Sequence, residues 1–276
     1  MALLAQLEAN RPEHASVEVG FRWLLRDKEI AGGVLGGGLA YRFFFWLLSL
    51  TVLGSGGLGF ASFSGVDVAS NAHSAGVTTS LANTVGDAAD QAETGRWWLL
   101  LSGLVLFVWF SFGLLRALRL VHAAAWRVRP PPLRNLPRAL AVVLAAPITI
   151  LVLTAAAGWV RTNAARPVGL IVTLGLGILF GALWLWVSMK LPAAENVPWT
   201  AFLPGAILLG VGLEALHVFT VYFLETKLTN ASELYGVLGL ATTALFYLFL
   251  VGRGVIWAAE LNAVVWEVRA TRRMTT

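Results

Sequence analysis

Six apolar stretches, each about as long as a bilayer core is thick, constrain this chain more than any other feature. They run over Ile30–Leu58, Trp97–Leu115, Leu140–Val160, Val168–Val187, Phe202–Leu224 and Tyr235–Leu261. A helix needs roughly 20 mostly apolar residues to cross the hydrocarbon. In lipid the backbone must satisfy its own hydrogen bonds, so runs of this kind fold as helices. Composition agrees: 58% of the 276 residues are hydrophobic and 13% charged, about half the charge of a soluble domain. Such a chain has too little polar surface to cover itself in water, which excludes a disordered protein and an ordinary soluble enzyme. There is no cysteine, hence no disulfide framework, thiolate nucleophile or thiolate metal site.

The expected fold is all-α: a polytopic membrane protein with six transmembrane helices. Residues 1–29 are expected as a cytoplasmic interfacial segment, 30–268 as the transmembrane domain and 269–276 as a basic cytoplasmic tail. Residues 1–29 lack the apolar core of a signal peptide, so the first span is expected to stay in place. Lys and Arg set the orientation. Arg11, Arg22, Arg26 and Lys28, then Arg116, Arg119, Arg127, Arg129, Arg134 and Arg138, then Lys190, Arg269, Arg272 and Arg273 fall on one side. Only Arg96, Arg161, Arg166 and Lys227 fall on the other. Both termini are therefore expected in the cytoplasm, as an even number of spans also requires. Within residues 15–29, Val17, Phe21, Leu24 and Leu25 share a helical face apart from Arg22, Arg26 and Lys28, which reads as an amphipathic helix lying in the interface. In the first outer loop, residues 61–96, Leu81, Val85, Ala88 and Ala92 recur at helical spacing, so that loop is expected to be partly helical. Pro130–Pro132 are expected to end the helix of the second span.

Several strings resemble functional motifs and carry none. Gly54-Ser55-Gly56-Gly57-Leu58-Gly59 matches a dinucleotide fingerprint but sits at the end of a membrane span, without the strand–turn–helix context the fingerprint requires. Gly32/Gly36, Gly33/Gly37 and Gly177/Gly181 are spaced for close helix packing in lipid. Asn230-Ala231-Ser232 has the form of a glycosylation sequon. His14, His73, His122 and His217 are scattered and form no metal-binding string, and no P-loop is present.

The order of certain residues resembles a known family. Leu39-Ala40-Tyr41 is followed by Ala125-Trp126-Arg127-Val128, Leu191-Pro192, Trp199 and Leu203-Pro204-Gly205-Ala206. Tyr222, Tyr235-Gly236, Tyr247 and Ala259-Glu260-Leu261-Asn262-Ala263 complete the series. Over about residues 20–268 this resembles the YihY/BrkB family of bacterial inner-membrane proteins, once mislabelled as ribonuclease BN. The resemblance implies six spans and an envelope location, and it supplies no catalytic residues. The proline that the family carries midway through its first span is absent here.

Ionisable residues inside spans are the functional candidates, because a charge at mid-bilayer costs at least about 2.5–3.5 kcal/mol unless it is paired or hydrated. Arg42 lies 12 residues after Ile30, and Glu214 lies 12 after Phe202. At ~1.5 Å of rise per residue both reach ~18 Å into the core. His217 follows Glu214 by one turn. Tyr41, Arg42, Glu214 and His217 are thus expected to form a buried substrate or ion pathway. Arg253, Glu260 and Asn262 are secondary candidates near the cytoplasmic end of the sixth span, where Arg253 can snorkel to headgroups. The expected function is a transporter or flippase-like carrier of a lipid or amphiphile. A non-transporting scaffold for envelope machinery is the alternative, and an enzyme using Glu214 and His217 as acid and base ranks third. No catalytic residue, metal or cofactor is expected. The expected partners are membrane lipids, with a second copy or envelope proteins as further candidates, and no nucleic acid.

Overall fold

The computed structural model describes residues 15–64, 86–87, 90–130, 166–219 and 225–275. Among these the extended elements are all helical: α1 (Ala15–Glu29), α2 (Gly32–Phe63), α3 (Arg96–Ala125), α4 (Arg166–Ser188), a 3-10 turn (Trp199–Phe202), α5 (Leu203–Phe219) and α6 (Glu225–Thr275). Four helical stretches are long and apolar enough to cross a membrane: Gly32–Phe60, Arg96–Ala125, Trp199–Leu216 and Ala241–Arg272. They match the first, second, fifth and sixth expected spans. The fourth falls in α4, whose stretch Gly177–Ser188 is apolar but shorter than a span by itself. The third, Leu140–Val160, lies outside the described residues, as do Leu81, Val85 and Ala88 of the outer loop. Ala92 of that loop is helical and buried.

Helix ends follow local chemistry. The α3 helix stops at Ala125, ahead of the prolines expected to end it. Arg127 takes the left-handed conformation (φ 52°). Its N–H bonds the Ala124 carbonyl at 3.2 Å, and the Val128 N–H bonds the Ala123 carbonyl at 2.9 Å. This pair of bonds satisfies carbonyls that a helix end leaves orphaned. Ala31, also left-handed (φ 52°), separates α1 from α2. At the far end, α6 is 51 residues long and runs on through the residues expected as a basic tail.

The described residues fall into two compact units. The second unit holds α2 from Arg42 onward and α3 up to Arg116. These two helices run antiparallel in close register. The Trp46 indole N–H donates to Ser111 Oγ at 3.0 Å. Trp46 also packs on Phe107, and Phe45 on Phe110. Glycines allow the close approach. A Cβ at Gly103 would lie 2.6 Å from the Leu53 backbone nitrogen, and one at Gly56 would lie 2.7 Å from the Leu100 nitrogen. Gly56 and Gly59 of the fingerprint-like string therefore serve helix packing.

The first unit holds α1, the start of α2, the end of α3, α4 from Gly177, α5 and α6. Its apolar centre gathers Ala125, Trp126, Ala201, Phe202, Ala259 and Ala263. Here too glycines set the spacing. A Cβ at Gly210 would lie 2.7 Å from the Gly177 carbonyl oxygen, and one at Gly252 would lie 2.9 Å from the Gly36 carbonyl oxygen. Large apolar side chains face outward in both units: Val34 is 77% and Ile178 75% exposed in the first, and Trp98 80% in the second. Large apolar side chains on the outside are at home in acyl chains and not in water.

Candidate functional site: an ionic stripe between α1 and α6

Arg253, Glu260 and Glu267 recur every seven residues on α6. Seven residues is close to two turns, so the three fall on one stripe of the helix. The last turns of α1 deliver Arg26 and Asp27 to that stripe. Arg253 donates Nη1 to Asp27 Oδ1 at 2.8 Å and Nη2 to Asp27 Oδ2 at 3.0 Å, a two-pronged charged pair. Arg26 donates Nη2 to both oxygens of Glu267, at 2.8 and 2.7 Å, and Nη1 to the carbonyl of Ala125 at the end of α3. One buried guanidinium thereby ties α1, α3 and α6 together. Outside it, exposed Arg127 pairs with Glu29. Its hydrogen bond holds the Glu29 carboxyl below the usual glutamate range.

Glycine makes the Arg253 reach feasible. A Cβ at Gly36 would lie 2.7 Å from Arg253 Cδ, and one at Gly32 would strike the Asp27 carboxylate and lie 2.6 Å from Arg253 Nη1. The Gly32/Gly36 face of α2 is thus a trough in which an arginine side chain lies. Arg253 turns inward along this trough and stacks on Trp257, its guanidinium 4.8 Å from the ring centroid. Trp257 in turn meets Trp23 of α1 edge-on at 6.0 Å.

Glu260 stands between the two pairs. It is fully buried, and neither carboxylate oxygen has a hydrogen-bond partner. The Trp23 indole lies beside it without hydrogen-bond geometry, and Asp27, Arg253 and Arg26 are its charged neighbours. Asn262, two residues on, faces another way. Its Oδ1 accepts the Gly205 N–H at 2.6 Å near the start of α5, while its Nδ2 stays unpartnered. A second set of buried polar groups sits in the same unit. His122 of α3 is fully buried with both ring nitrogens unpartnered, and it packs on Trp184 at 5.6 Å. Ser188 Oγ and the indole nitrogens of Trp126 and Trp184 are also unpartnered.

The family described as Virulence factor BrkB has a model that matches residues 28–275. The chain belongs to the BrkB family. No curated protein and no solved structure matches it. The BrkB match takes in Glu29, Arg127, Arg253, Glu260 and Glu267, and it begins just after Arg26 and Asp27, the two α1 residues that meet the stripe.

The expected pathway residues have these surroundings in this BrkB-family chain. Arg42, in the second unit, is exposed and donates Nη1 to the Gly113 carbonyl of α3 at 3.0 Å. Tyr41 ends the opening segment of the first unit and is 59% exposed. Glu214, also in the first unit, lies against Gly177, with Oε1 buried and unpartnered. The side chain of His217 lies outside the described residues. Sequence reasoning passed over Arg26, Asp27, Glu267 and His122. The seven-residue spacing of Arg253, Glu260 and Glu267 was the readable signal for the stripe, whereas His122 gave none. On α1 the apolar periodicity did not single out Arg26: Leu24 and Leu25 are exposed, while Arg26, at 3% exposure, is turned inward. Its two partners explain the reversal.

Proposed function

We propose that this BrkB-family protein is a six-span protein of the bacterial inner membrane that carries a lipid or other amphiphile, with both termini in the cytoplasm and no enzymatic step. The observation that carries the reading is Glu214. Its Oε1 is buried without a partner in a helix whose only other ionisable residue is His217, beside the glycine seam where α4 and α5 touch. An acidic group held there at a cost of about 2.5–3.5 kcal/mol is a functional candidate by default. The seam, with no side chain at Gly177, Gly181 or Gly210, is a place where two helices can slide or part. In this reading α1 lies in the cytoplasmic interface. Leu24 and Leu25 turn outward to the lipid beside exposed Lys28, while Arg26 and Asp27 hold the helix to α6.

The test is flux of a fluorescent phospholipid in proteoliposomes. The wild-type protein should move the probe faster than protein-free vesicles, and Glu214→Gln should abolish the excess while the protein stays folded. A second reading, a scaffold for envelope machinery, is favoured by the closed Arg26–Glu267 and Arg253–Asp27 pairs, which fasten α1 in place. That reading expects no flux above protein-free vesicles for either protein.

A further inference from the structure

The stripe between α1 and α6 does not balance. Arg26, Arg127 and Arg253 face Asp27, Glu29, Glu260 and Glu267, and every acid except Glu260 is held by an arginine. One proton on Glu260 makes the set neutral. Without that proton a surplus negative charge sits in a fully buried position with no donor on either oxygen, an arrangement proteins avoid by pairing the charge or neutralising it. Around Glu260 the α1 helix supplies Trp23, Arg26 and Asp27 and α6 supplies Arg253, while the end of α3, packed on α6 through Ala125 and Trp126, carries His122 and Arg127. Asp27, already bound through both oxygens, repels any charge that Glu260 carries.

We propose that Glu260 is a proton-binding site and that its occupancy decides whether α1 stays seated on α6. With the proton bound, both arginine pairs close over a neutral acid. With the proton released to water, the new charge competes with Asp27 for Arg253 and with Glu267 for Arg26, and α1 loosens. The inference rests on this unit's geometry and does not require the carrier reading. In a carrier it would make H⁺ the coupling ion.

The chain has no cysteine, so two introduced cysteines report without background. Ser16→Cys on α1 and Arg269→Cys on α6 are both exposed sites. Spin-labelled in the full-length protein in nanodiscs, the pair gives the α1–α6 distance distribution as pH is varied. The parent should hold one narrow distribution at low pH and shift or broaden reversibly as pH rises. Glu260→Gln, permanently neutral, should keep the low-pH distribution throughout. Glu260→Asp, which retains an acid, should respond again with a displaced midpoint. Infrared difference spectra of the parent should show a protonated carboxylic acid band that titrates together with the distance change and is lost in Glu260→Gln. A parent distribution that ignores pH overturns the proposal, and so does an equal response in parent and Glu260→Gln. Infrared difference spectra that are identical in parent and Glu260→Gln overturn it as well. None of these readouts measures flux, so the proton site and the carrier reading fail separately.

Discussion

Replacing Arg26 by methionine should destabilise the protein far more than the same change at Arg127, although both arginines pair with a glutamate. Arg26 is 3% exposed, and its loss would leave two hydrogen-bond partners behind, besides the more distant Glu29 at 3.8 Å. Breaking a buried ion pair from one side costs about 3–5 kcal/mol. Glu267, at 33% side-chain exposure, recovers part of its hydration and draws the figure toward the lower end. The Ala125 carbonyl belongs to a fully buried residue, and an acceptor left unpaired there costs about 1–3 kcal/mol. Together these give an expected loss of about 3–5 kcal/mol. The Arg127–Glu29 pair has side chains 55% and 51% exposed, so Arg127→Met should cost at most about 1 kcal/mol. Reversible unfolding in mixed micelles, followed by tryptophan fluorescence, measures both variants on one scale. Equal losses in the two, or a loss under about 1 kcal/mol for Arg26→Met, would mean that the α1–α6 seat does not hold this guanidinium in a buried state.

Other expectations follow from single positions. Gly205→Ala places a Cβ against the Ala258 carbonyl oxygen, a backbone atom that cannot swing aside. It should cost about 1–3 kcal/mol of overpacking, whereas Gly212→Ala, with open space around it, should be neutral or slightly stabilising in the same unfolding assay. Ala31→Gly should raise stability by up to about 1 kcal/mol, because the left-handed backbone there burdens any residue with a Cβ. The Glu29 carboxyl is held low by Arg127, so its small contribution is present above the ordinary glutamate value of about 4.3 and fades as pH falls through its lowered folded value. Stability measured down the acid limb should show that fading in the parent and less of it in Arg127→Met, where Arg26 alone still faces Glu29.

Much of the architecture was legible because apolar run length alone dictates a membrane helix. The stretches around Ile30, Trp97, Phe202 and Tyr235 needed no partner to be recognised. Helix ends were harder to read. The α3 helix stops at Ala125 because Arg127 accepts a left-handed backbone, a conformation that sequence assigns first to glycine. The site was legible by halves. Arg253, Glu260 and Glu267 share a visible seven-residue spacing, yet nothing local says that a helix more than two hundred residues earlier answers them. Arg253 read as a side chain reaching for headgroups. It turns inward because Gly32 and Gly36 leave a trough for its stem, so glycines that read as helix-packing positions also house an arginine. Arg26 hid inside an apolar periodicity, since sequence pattern ranks residues by polarity and cannot foresee a buried carboxylate waiting on another helix.

The ionic stripe exists only if α1 lies along α6 in the native membrane. Trp23 and Trp257, whose rings meet at that seam, offer the direct measurement: the double variant Trp23→Cys/Trp257→Cys, treated in native membranes with a short bis-methanethiosulfonate. The seat predicts an efficient intramolecular cross-link between the two cysteines. If both react singly with the reagent and no cross-link forms, α1 is not on α6, and the ionic stripe does not exist as described.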